Sequence, residues 1–334
     1  VKSKGFKYIE LPSVIEANHI VQRSGENFRK FMFSFTDING KELCLRPDLT
    51  IASCLRYLEN NLKGKEKIFY NGQAYRKVQN KKDKIIRNQV GFEILGSKDE
   101  KKDDKEIINT SIKILQDLKF SSGTLTIGNI EIFNLLISKL DIPKRWKLRL
   151  SRHFWREDYF NDLLKRLETN ADIDPSIVEI DKKRYLDLLN KNPETMIAGR
   201  SVREILKRFD TKIKDPRQAK RGNKVSKIIK SFLKISCPIN KAAMELNKFF
   251  KKNKINLVVD QRYFPISSNK LSKLNVKFST SFGRHLEYYS GMVFKIDVKS
   301  KSATIRCAGG RYDRLISDLG SKKQVPAVGA AFNL

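Results

Sequence analysis

The chain is organised around residues 283–296, which read GRHLEYYSGMVFKI. Apolar residues recur at every second position from Met292 to Ile296, a pattern that predicts a strand with one buried face. Tyr289 and Gly291 fall on the other face, where a glycine leaves room for a small molecule to lie against the backbone. A core strand with ordinary aromatic packing explains the same pattern, so both interpretations stay open.

A second short strand is predicted at residues 307–313, which read CAGGRYD, followed by a helix from Arg314 to Leu319. The two adjacent glycines permit close approach of another backbone or of a ligand. This second strand favours the ligand-binding interpretation of the first.

The composition predicts a soluble globular protein. The chain has 334 residues, of which 40% are hydrophobic, enough for one large or two medium-sized domains with a full core. No apolar run approaches the ~20 residues needed to cross a bilayer, and no signal-peptide pattern opens the chain. We therefore expect a cytoplasmic protein without a membrane partner.

Neither a metal site nor a disulfide framework is predicted. Cys44, Cys54, Cys237 and Cys307 lie far apart in apolar settings, and the chain has three histidines and no C-x-x-C pair. A structural zinc site needs thiolate and imidazole ligands at short spacings. No cofactor is predicted either.

The formal charge of +31 has two explanations. A strongly basic chain commonly binds a polyanion such as nucleic acid. Here lysine is spread over nearly every segment, without the interleaved aromatic residues of a groove for single strands, which favours diffuse compositional bias. Binding to RNA or to an acidic protein surface stays as the alternative.

The amino-terminal part predicts a strand at residues 7–12, an amphipathic helix at 13–23 and then a hairpin. The hairpin strands are residues 31–36 and 43–46, joined by a turn that contains an Asn-Gly pair. The hairpin leads to Asp48, which either caps the first turn of the next helix or faces a ligand.

A second hairpin is predicted from residues 67–76 and 85–96. Along its second strand Gln89, Gly91 and Glu93 share one face. The two polar residues stand about 13 Å apart at ~3.3 Å per residue, so an amino-acid-sized ligand can lie over the glycine with a polar group at each end. The alternative is a solvated outer face, which has no need of the glycine.

The remaining pattern predicts an α+β fold in which helices interrupt an antiparallel sheet. We expect a helix at residues 98–118 along an edge of the sheet, a strand at 124–127 and a further strand at 257–260. Helical spacing dominates between them, and no recurring period indicates a repeat array. The predicted parts are residues 1–129, the first part of the core; 130–253, a helical insertion; and 254–334, the second part of the core.

Six motifs, in order along the chain, resemble the core of histidyl-tRNA synthetase. They are Leu11-Pro12, LRPDLT at 45–50, Tyr75-Arg76 with QVGFE at 89–93, RHLEYYSG at 284–291, AGGRYD at 308–313 and PAVG at 326–329. The resemblance covers nearly the whole chain. It implies the antiparallel sheet of the class II aminoacyl-tRNA synthetases, flanked by helices.

Two kinds of protein in that superfamily differ in function: the synthetase, and a catalytically silent paralogue that is the regulatory subunit of ATP phosphoribosyltransferase. A synthetase carries Pro-Glu-Gly-Thr where residues 47–50 read PDLT, and Arg-x-Glu where residues 76–78 read RKV. Val78 lacks the anionic acceptor near the adenine side of an ATP site, and Leu49 adds bulk. These substitutions favour the regulatory subunit, and residues 284–291 together with the helical middle of the chain are similar to the proteobacterial kind. A histidine–tRNA ligase core lacking its anticodon-binding domain is the alternative.

The resemblance implies a histidine-binding site and no catalytic residue. A guanidinium can bind a carboxylate through two parallel hydrogen bonds, and an acid opposite an imidazole nitrogen accepts its N–H. The implied set is Asp48, Thr50 and Gln89 for the α-ammonium, Arg284 for the carboxylate, Glu93 and Tyr289 for the imidazole, Tyr312 to close the pocket, and Arg76 and Tyr288 without an assigned role.

The same resemblance implies a regulatory protein that catalyses nothing alone. It would bind L-histidine and form a homodimer within a hetero-oligomer. The partner would be the short-form catalytic subunit of ATP phosphoribosyltransferase, which performs the first step of histidine biosynthesis. Feedback inhibition would be a coupling between the histidine site and a distant catalytic site. Specific tRNA binding is not expected.

Overall fold

The computed structural model describes residues 1–24, 26–60, 64–78, 84–120, 122–169, 175–197, 200–213, 219–266, 274–283, 288–299 and 304–333. The chain divides into two compact units. Unit 1 comprises Val1–Ile132, Ser236–Leu246 and Val259–Leu334, and unit 2 comprises Phe133–Ile235 and Asn247–Val258. The predicted division at 129/130 and 253/254 remains a prediction.

The strands are β1 (Lys7–Tyr8), β2 (Val14–Glu16), β3 (Ser34–Thr36), β4 (Glu42–Leu45), β5 (Glu66–Tyr75), β6 (Ile86–Leu95), β7 (Gly123–Asn129), β8 (Met196–Ile197), β9 (Arg200–Ser201), β10 (Ser236–Pro238), β11 (Leu274–Ser279), β12 (Met292–Lys299), β13 (Thr304–Arg311) and β14 (Ala327–Asn333). The α-helices are α1 (Ala17–Ser24), α2 (Leu49–Glu59), α3 (Glu100–Asp117), α4 (Ile130–Lys139), α5 (Lys144–Arg152), α6 (Glu157–Glu168), α7 (Pro175–Leu189), α8 (Val202–Ile213), α9 (Ala219–Phe232), α10 (Ala242–Lys252) and α11 (Leu315–Asp318).

A nine-stranded sheet forms the centre of unit 1. Its order is β1-β5-β6-β14-β13-β12-β7-β11-β10, and neighbours are antiparallel except in the pairs β1–β5 and β7–β11. A small antiparallel sheet of order β2-β4-β3 accompanies it. The predicted α+β architecture with a mostly antiparallel sheet is confirmed.

Both predicted hairpins are present. Strands β3 and β4 pair antiparallel, and the Asp37 carboxylate between them accepts hydrogen bonds from the backbone N–H groups of Asn39 (2.9 Å) and Lys41 (2.8 Å). Gly40 takes a φ of +77°, the left-handed conformation that favours glycine at this turn position. Strands β5 and β6 pair over ten residues each.

Three local predictions are wrong. Residues 14–16 form strand β2 instead of the start of a helix, because pairing with β4 buries the β-branched Ile15 and turns its neighbour to the outside. Residues 257–260 form no strand, and Val258 is 74% exposed. Within the predicted helical insertion, β10 pairs with β11 and extends the large sheet.

Helix α3 packs over β6, β13 and β14 instead of along an edge of the sheet. These three strands are neighbours in the middle of the sheet, so the helix covers part of one face. Its buried residues include Ile107, Ile108 and Leu115, which recur at helical spacing. The amphipathic pattern identified the helix, whereas its position depends on strand order that the pattern does not contain.

Unit 2 is built around aromatic residues from several helices. The rings of Phe133 and Phe154 are stacked with centroids 3.8 Å apart, and Phe160 meets both edge-on. The Trp146 side chain is fully buried in the same unit. Among the helices of the described ranges, none combines the length and the apolar character that a bilayer crossing requires. The described residues likewise contain no cluster of metal-ligating side chains, and all four cysteines are free thiols.

Candidate functional site

Glu93, near the end of β6, is the centre of the candidate site. Its side chain is buried, with 1% of the residue exposed. One carboxylate oxygen accepts hydrogen bonds from Thr50 Oγ1 (3.0 Å) and the Tyr70 hydroxyl (2.7 Å). The other accepts from the Tyr312 hydroxyl at 2.6 Å. A carboxylate offers about four acceptor positions, so one remains for a ligand N–H.

Burial raises the pKa of Glu93 from its ordinary 4.5 to about 7. Its hydrogen bonds from Tyr312, Tyr70 and Thr50 lower this pKa, and the negative charge of Asp48 raises it further. The acid therefore titrates near neutral pH, and small changes in its surroundings change its charge.

Asp48 both caps a helix and faces the site, so the two interpretations of this residue combine. One carboxylate oxygen accepts from the backbone N–H of Ile51 (3.0 Å), which caps α2. The other accepts from the Tyr288 hydroxyl at 3.4 Å and lies 3.6 Å from a guanidinium nitrogen of Arg76. Arg76 also donates to the carbonyl oxygen of Pro47 at 2.8 Å, so it holds this turn in place.

Besides Tyr70, three tyrosines form the aromatic part of the site. The ring centroids of Tyr288 and Tyr289 lie 4.9 Å apart, and those of Tyr288 and Tyr312 lie 5.8 Å apart. Burial raises the pKa of each phenol above its ordinary value, so all three stay protonated hydrogen-bond donors at neutral pH. We refer to Asp48, Thr50, Tyr70, Glu93, Tyr288, Tyr289 and Tyr312 as the Glu93 cluster.

Among the predicted site residues that the structure describes, Gln89 and Arg76 are not members of this cluster. The Gln89 side chain donates to the Asn333 side chain at 2.8 Å, and within the described ranges it makes no hydrogen bond to the cluster. Arg284 lies outside the described residues, as do its neighbours up to residue 287. The other seven predicted residues lie in the cluster or, as with Arg76, contact it.

Tyr70 is the cluster residue that the sequence analysis missed. It pairs with Gly91 across the hairpin, and its ring fills the space over that glycine, since a Cβ there would lie 2.5 Å from ring atoms. A phenol fills the space over Gly91 in this structure, and the ligand position expected there remains a prediction. The solvated-face alternative is wrong, since Glu93 is buried. The register of the predicted hairpin could have identified Tyr70, because it places this aromatic residue opposite Gly91.

Gly329 on β14 makes room for the acid. It pairs with Glu93, and a Cβ at this position would lie 1.2 Å from a carboxylate oxygen of Glu93. A side chain here would displace the acid from its three hydroxyl partners.

Arg311, the residue before Tyr312, forms a separate buried network. Its guanidinium donates to Asp104 (2.9 and 2.6 Å) and to Asp313 (2.9 Å), and also to the carbonyl oxygen of Glu100 (2.8 Å). Asp313 in turn accepts from the backbone N–H of Ala327 at 2.9 Å. The network ties α3 to the strand end from which Tyr312 reaches Glu93.

A cavity lies beside Gly291, where the sequence predicted space, but its lining residues differ from those expected. A cavity of about 460 Å³ is lined by Gly291, Met292 and Arg311, together with the start of α3 and residues 261–265. Tyr289 is not among its lining residues, because it packs beside Tyr288 and against the Gly310 backbone. The two residues that strand alternation placed on one face therefore face different surroundings.

The raised pKa of Glu93 predicts how stability depends on pH. A carboxyl with a folded-state pKa of about 7, against 4.5 when exposed, holds a proton in the folded state that the unfolded chain releases. The contribution of Glu93 to the free energy of unfolding is largest below pH 4.5. It is lost as pH rises through 7, a decrease on the order of 3 kcal/mol. Glu93→Gln has no such loss, so its unfolding free energy relative to wild type should be more favourable at pH 8 than at pH 5.5. Urea denaturation at both pH values measures this, and an equal difference at both would contradict the assignment.

Known structures and families define the class of protein. A solved structure described as an ATP phosphoribosyltransferase regulatory subunit/histidyl-tRNA synthetase from Bacillus halodurans C has the same fold, with a TM-score of 0.56 at 21% identity, covering 99% of this chain and 73% of that one. The fold is that of the class II aminoacyl-tRNA synthetases. The family model described as histidyl-tRNA synthetase matches residues 1–334. The chain belongs to the histidyl-tRNA synthetase family.

The chain is similar to relatives whose names describe a regulatory subunit. One from Allorhizobium ampelinum is 28% identical over 344 residues, which covers 98% of this chain and 91% of the relative. Another from Agrobacterium fabrum is 28% identical over 338 residues, with 96% and 89% covered. Both are named ATP phosphoribosyltransferase regulatory subunit.

Proposed function

We propose that this protein is a regulatory, non-catalytic subunit of ATP phosphoribosyltransferase. It binds histidine in the Glu93 cluster and conveys feedback control to a short-form catalytic subunit, within a hetero-oligomer that contains a dimer of this chain. The observation that carries the proposal is Glu93 itself, a buried acid held by three hydroxyl donors with one acceptor position to spare. The names of the curated relatives support the regulatory role.

Histidine matches the chemistry of the cluster. The free acceptor position of Glu93 suits an imidazole N–H, and a carboxylate favours the protonated ring. Asp48, which accepts a hydrogen bond from the Tyr288 hydroxyl, carries a negative charge, and Thr50 brings a hydroxyl; together they suit an α-ammonium group. In this proposal Arg284 binds the ligand carboxylate, and Gln89 joins the ammonium group from its position on β6.

Two residues favour regulation over aminoacylation. Leu49 is buried at the start of α2 and contacts Gly72, so its side chain fills space where the synthetase motif has a glycine. Val78, after β5, offers no carboxylate to a nucleotide. An ATP site that lacks an anionic acceptor and carries extra bulk binds ATP poorly in the geometry that adenylate formation needs.

Co-purification tests the proposal most directly. The tagged protein, expressed with the short-form catalytic subunit from the same organism, should retain that subunit through size-exclusion chromatography. The complex should form phosphoribosyl-ATP faster than the catalytic subunit alone, and added histidine should reduce the rate. A catalytic subunit that neither binds nor responds would reject the regulatory function.

The isolated protein should show no histidine-dependent exchange of pyrophosphate into ATP. Leu49 and Val78 disturb the nucleotide site, so histidyl-adenylate should not form. The assay follows radiolabelled pyrophosphate, with an authentic histidyl-tRNA synthetase as the positive control. Exchange at a rate near that of the control would instead favour the alternative, a histidine–tRNA ligase core.

A further inference from the structure

Unit 2 carries a cleft between the end of α4, the middle of α9 and the end of α10. Two adjoining cavities of about 460 and 330 Å³ form it, and they share Lys224, Ile228, Asn253 and Lys254 in their walls. We call it the basic cleft, after the cations that line it: Lys139, Arg221, Lys224, Lys227, Lys252 and Lys254.

The charge of the basic cleft exceeds what composition explains. Six basic residues line it against one acid, Asp141, whereas the whole chain has 68 basic and 37 acidic residues. Asp141 is itself bound to Arg221 at 3.1 Å. Within the described residues, Lys224 and Lys254 have no carboxylate at ion-pair distance. The cations therefore repel one another, and an anion in the cleft would relieve that repulsion.

Favourable interactions with helix dipoles explain the positions of only some of the cleft cations. Lys139 lies in the last turn of α4 and Lys252 in the last turn of α10, where cations stabilise the helix ends. Lys224 and Lys227 lie in the middle of α9, one turn apart on the same face, where no such role exists. Their presence in the cleft needs another explanation.

The shape of the cleft points to a small molecule. Its volume lies within the roughly 300–1,000 Å³ of small-molecule sites. Beneath the cations its walls are apolar, with Leu140, Val225, Ile228 and Ile255. No aromatic residue is among the described residues that line either cavity, whereas grooves for single-stranded nucleic acid stack bases on aromatic rings.

We propose that the basic cleft binds a phosphate-rich metabolite of the nucleoside polyphosphate class. The phosphates contact the ammonium groups of Lys224, Lys227 and Lys254, and the base lies against the apolar wall. This site shares no residue with the Glu93 cluster, so the proposal does not rest on the proposed regulatory function.

The test compares two triple variants with equal loss of charge. One removes cleft cations: Lys224→Gln, Lys227→Gln and Lys254→Gln. The control removes exposed lysines of the same unit that do not line the cleft: Lys182→Gln, Lys183→Gln and Lys191→Gln. Fluorescently labelled ATP is titrated with each protein at 0.15 M salt and followed by anisotropy, and thermal unfolding confirms that each variant folds.

The cleft variant should bind labelled ATP at least about tenfold more weakly than wild type, and the control less than about twofold more weakly, because charge at contact distance acts far more strongly than screened charge elsewhere. Inorganic triphosphate should displace the probe, and adenosine at the same concentration should not. Equal losses in the two variants, or no saturable ATP binding, would overturn the proposal. Preferential displacement by a twelve-nucleotide RNA would also overturn it, in favour of a nucleic-acid surface. Histidine affinity should not differ among the three proteins.

Discussion

Replacing Arg311 with alanine is expected to lower the free energy of unfolding by about 3–5 kcal/mol, the range for removing one partner of a buried ion pair. The change would leave Asp104 and Asp313 without their cation and the Glu100 carbonyl without its donor. Arg311 also holds down the pKa of Asp104, which burial raises to about 6. Without it, Asp104 takes up a proton more readily, so the loss should be smaller at pH 5.5 than at pH 8.

Urea denaturation of Arg311→Ala measures this loss, and Arg306→Ala is the matched control. Arg306 lies on the same strand, β13, and donates to Asp297 at 3.0 Å, but it is largely exposed. An exposed ion pair contributes about 0–1 kcal/mol, so the control should change stability little. Similar losses in the two variants would mean that the buried network contributes no more than a surface pair.

Glu93→Gln is expected to weaken histidine binding by about 1–3 kcal/mol, the range for a lost hydrogen bond to a charged group. The amide keeps the size and one acceptor oxygen, but it lacks the charge that favours an imidazolium ring. Arg284→Ala should cost at least as much, because the ligand carboxylate loses its bidentate partner. In the complex with the catalytic subunit, inhibition by histidine should weaken in parallel with affinity.

Calorimetry with histidine, run beside thermal unfolding, separates binding from folding. Glu66→Gln is the control, since this acid lies on the adjacent strand β5 and pairs with Arg56 outside the Glu93 cluster. It should leave histidine affinity unchanged. If Glu93→Gln and Arg284→Ala lower the melting temperature but bind histidine as wild type does, these residues support the fold and the ligand binds elsewhere.

Local signals predicted the hairpins and the helix cap. The Asn-Gly pair predicted the turn before β4, and the alternation of apolar residues predicted β6 and β12. Both signals depend on only a few neighbouring residues. Asp48 was identified for the same reason, since a cap needs only the residues that follow it.

What sequence reasoning missed depends on contacts between distant segments. Tyr70 was overlooked because its role depends on hairpin register, which sets it over Gly91. The buried network of Arg311 was not predicted, because its partner Asp104 lies 207 residues earlier in the chain. The predicted helix start at residues 14–16 is wrong because the pairing of β2 with β4 outweighs local helical periodicity.

The closed state of the Glu93 cluster has a consequence for the rate at which histidine can bind. Glu93, Tyr70 and Tyr312 are each 1% exposed, and we expect a ligand to reach the acid only when at least one phenol gives up its hydrogen bond. The apparent affinity is then the intrinsic affinity reduced by the fraction of open molecules. Tyr70→Phe keeps the ring over Gly91 but removes one of these bonds, so it should raise the association rate constant of histidine in stopped-flow measurements. Under the proposed function, the movement of these tyrosines, and not diffusion, would therefore limit the rate at which histidine binds.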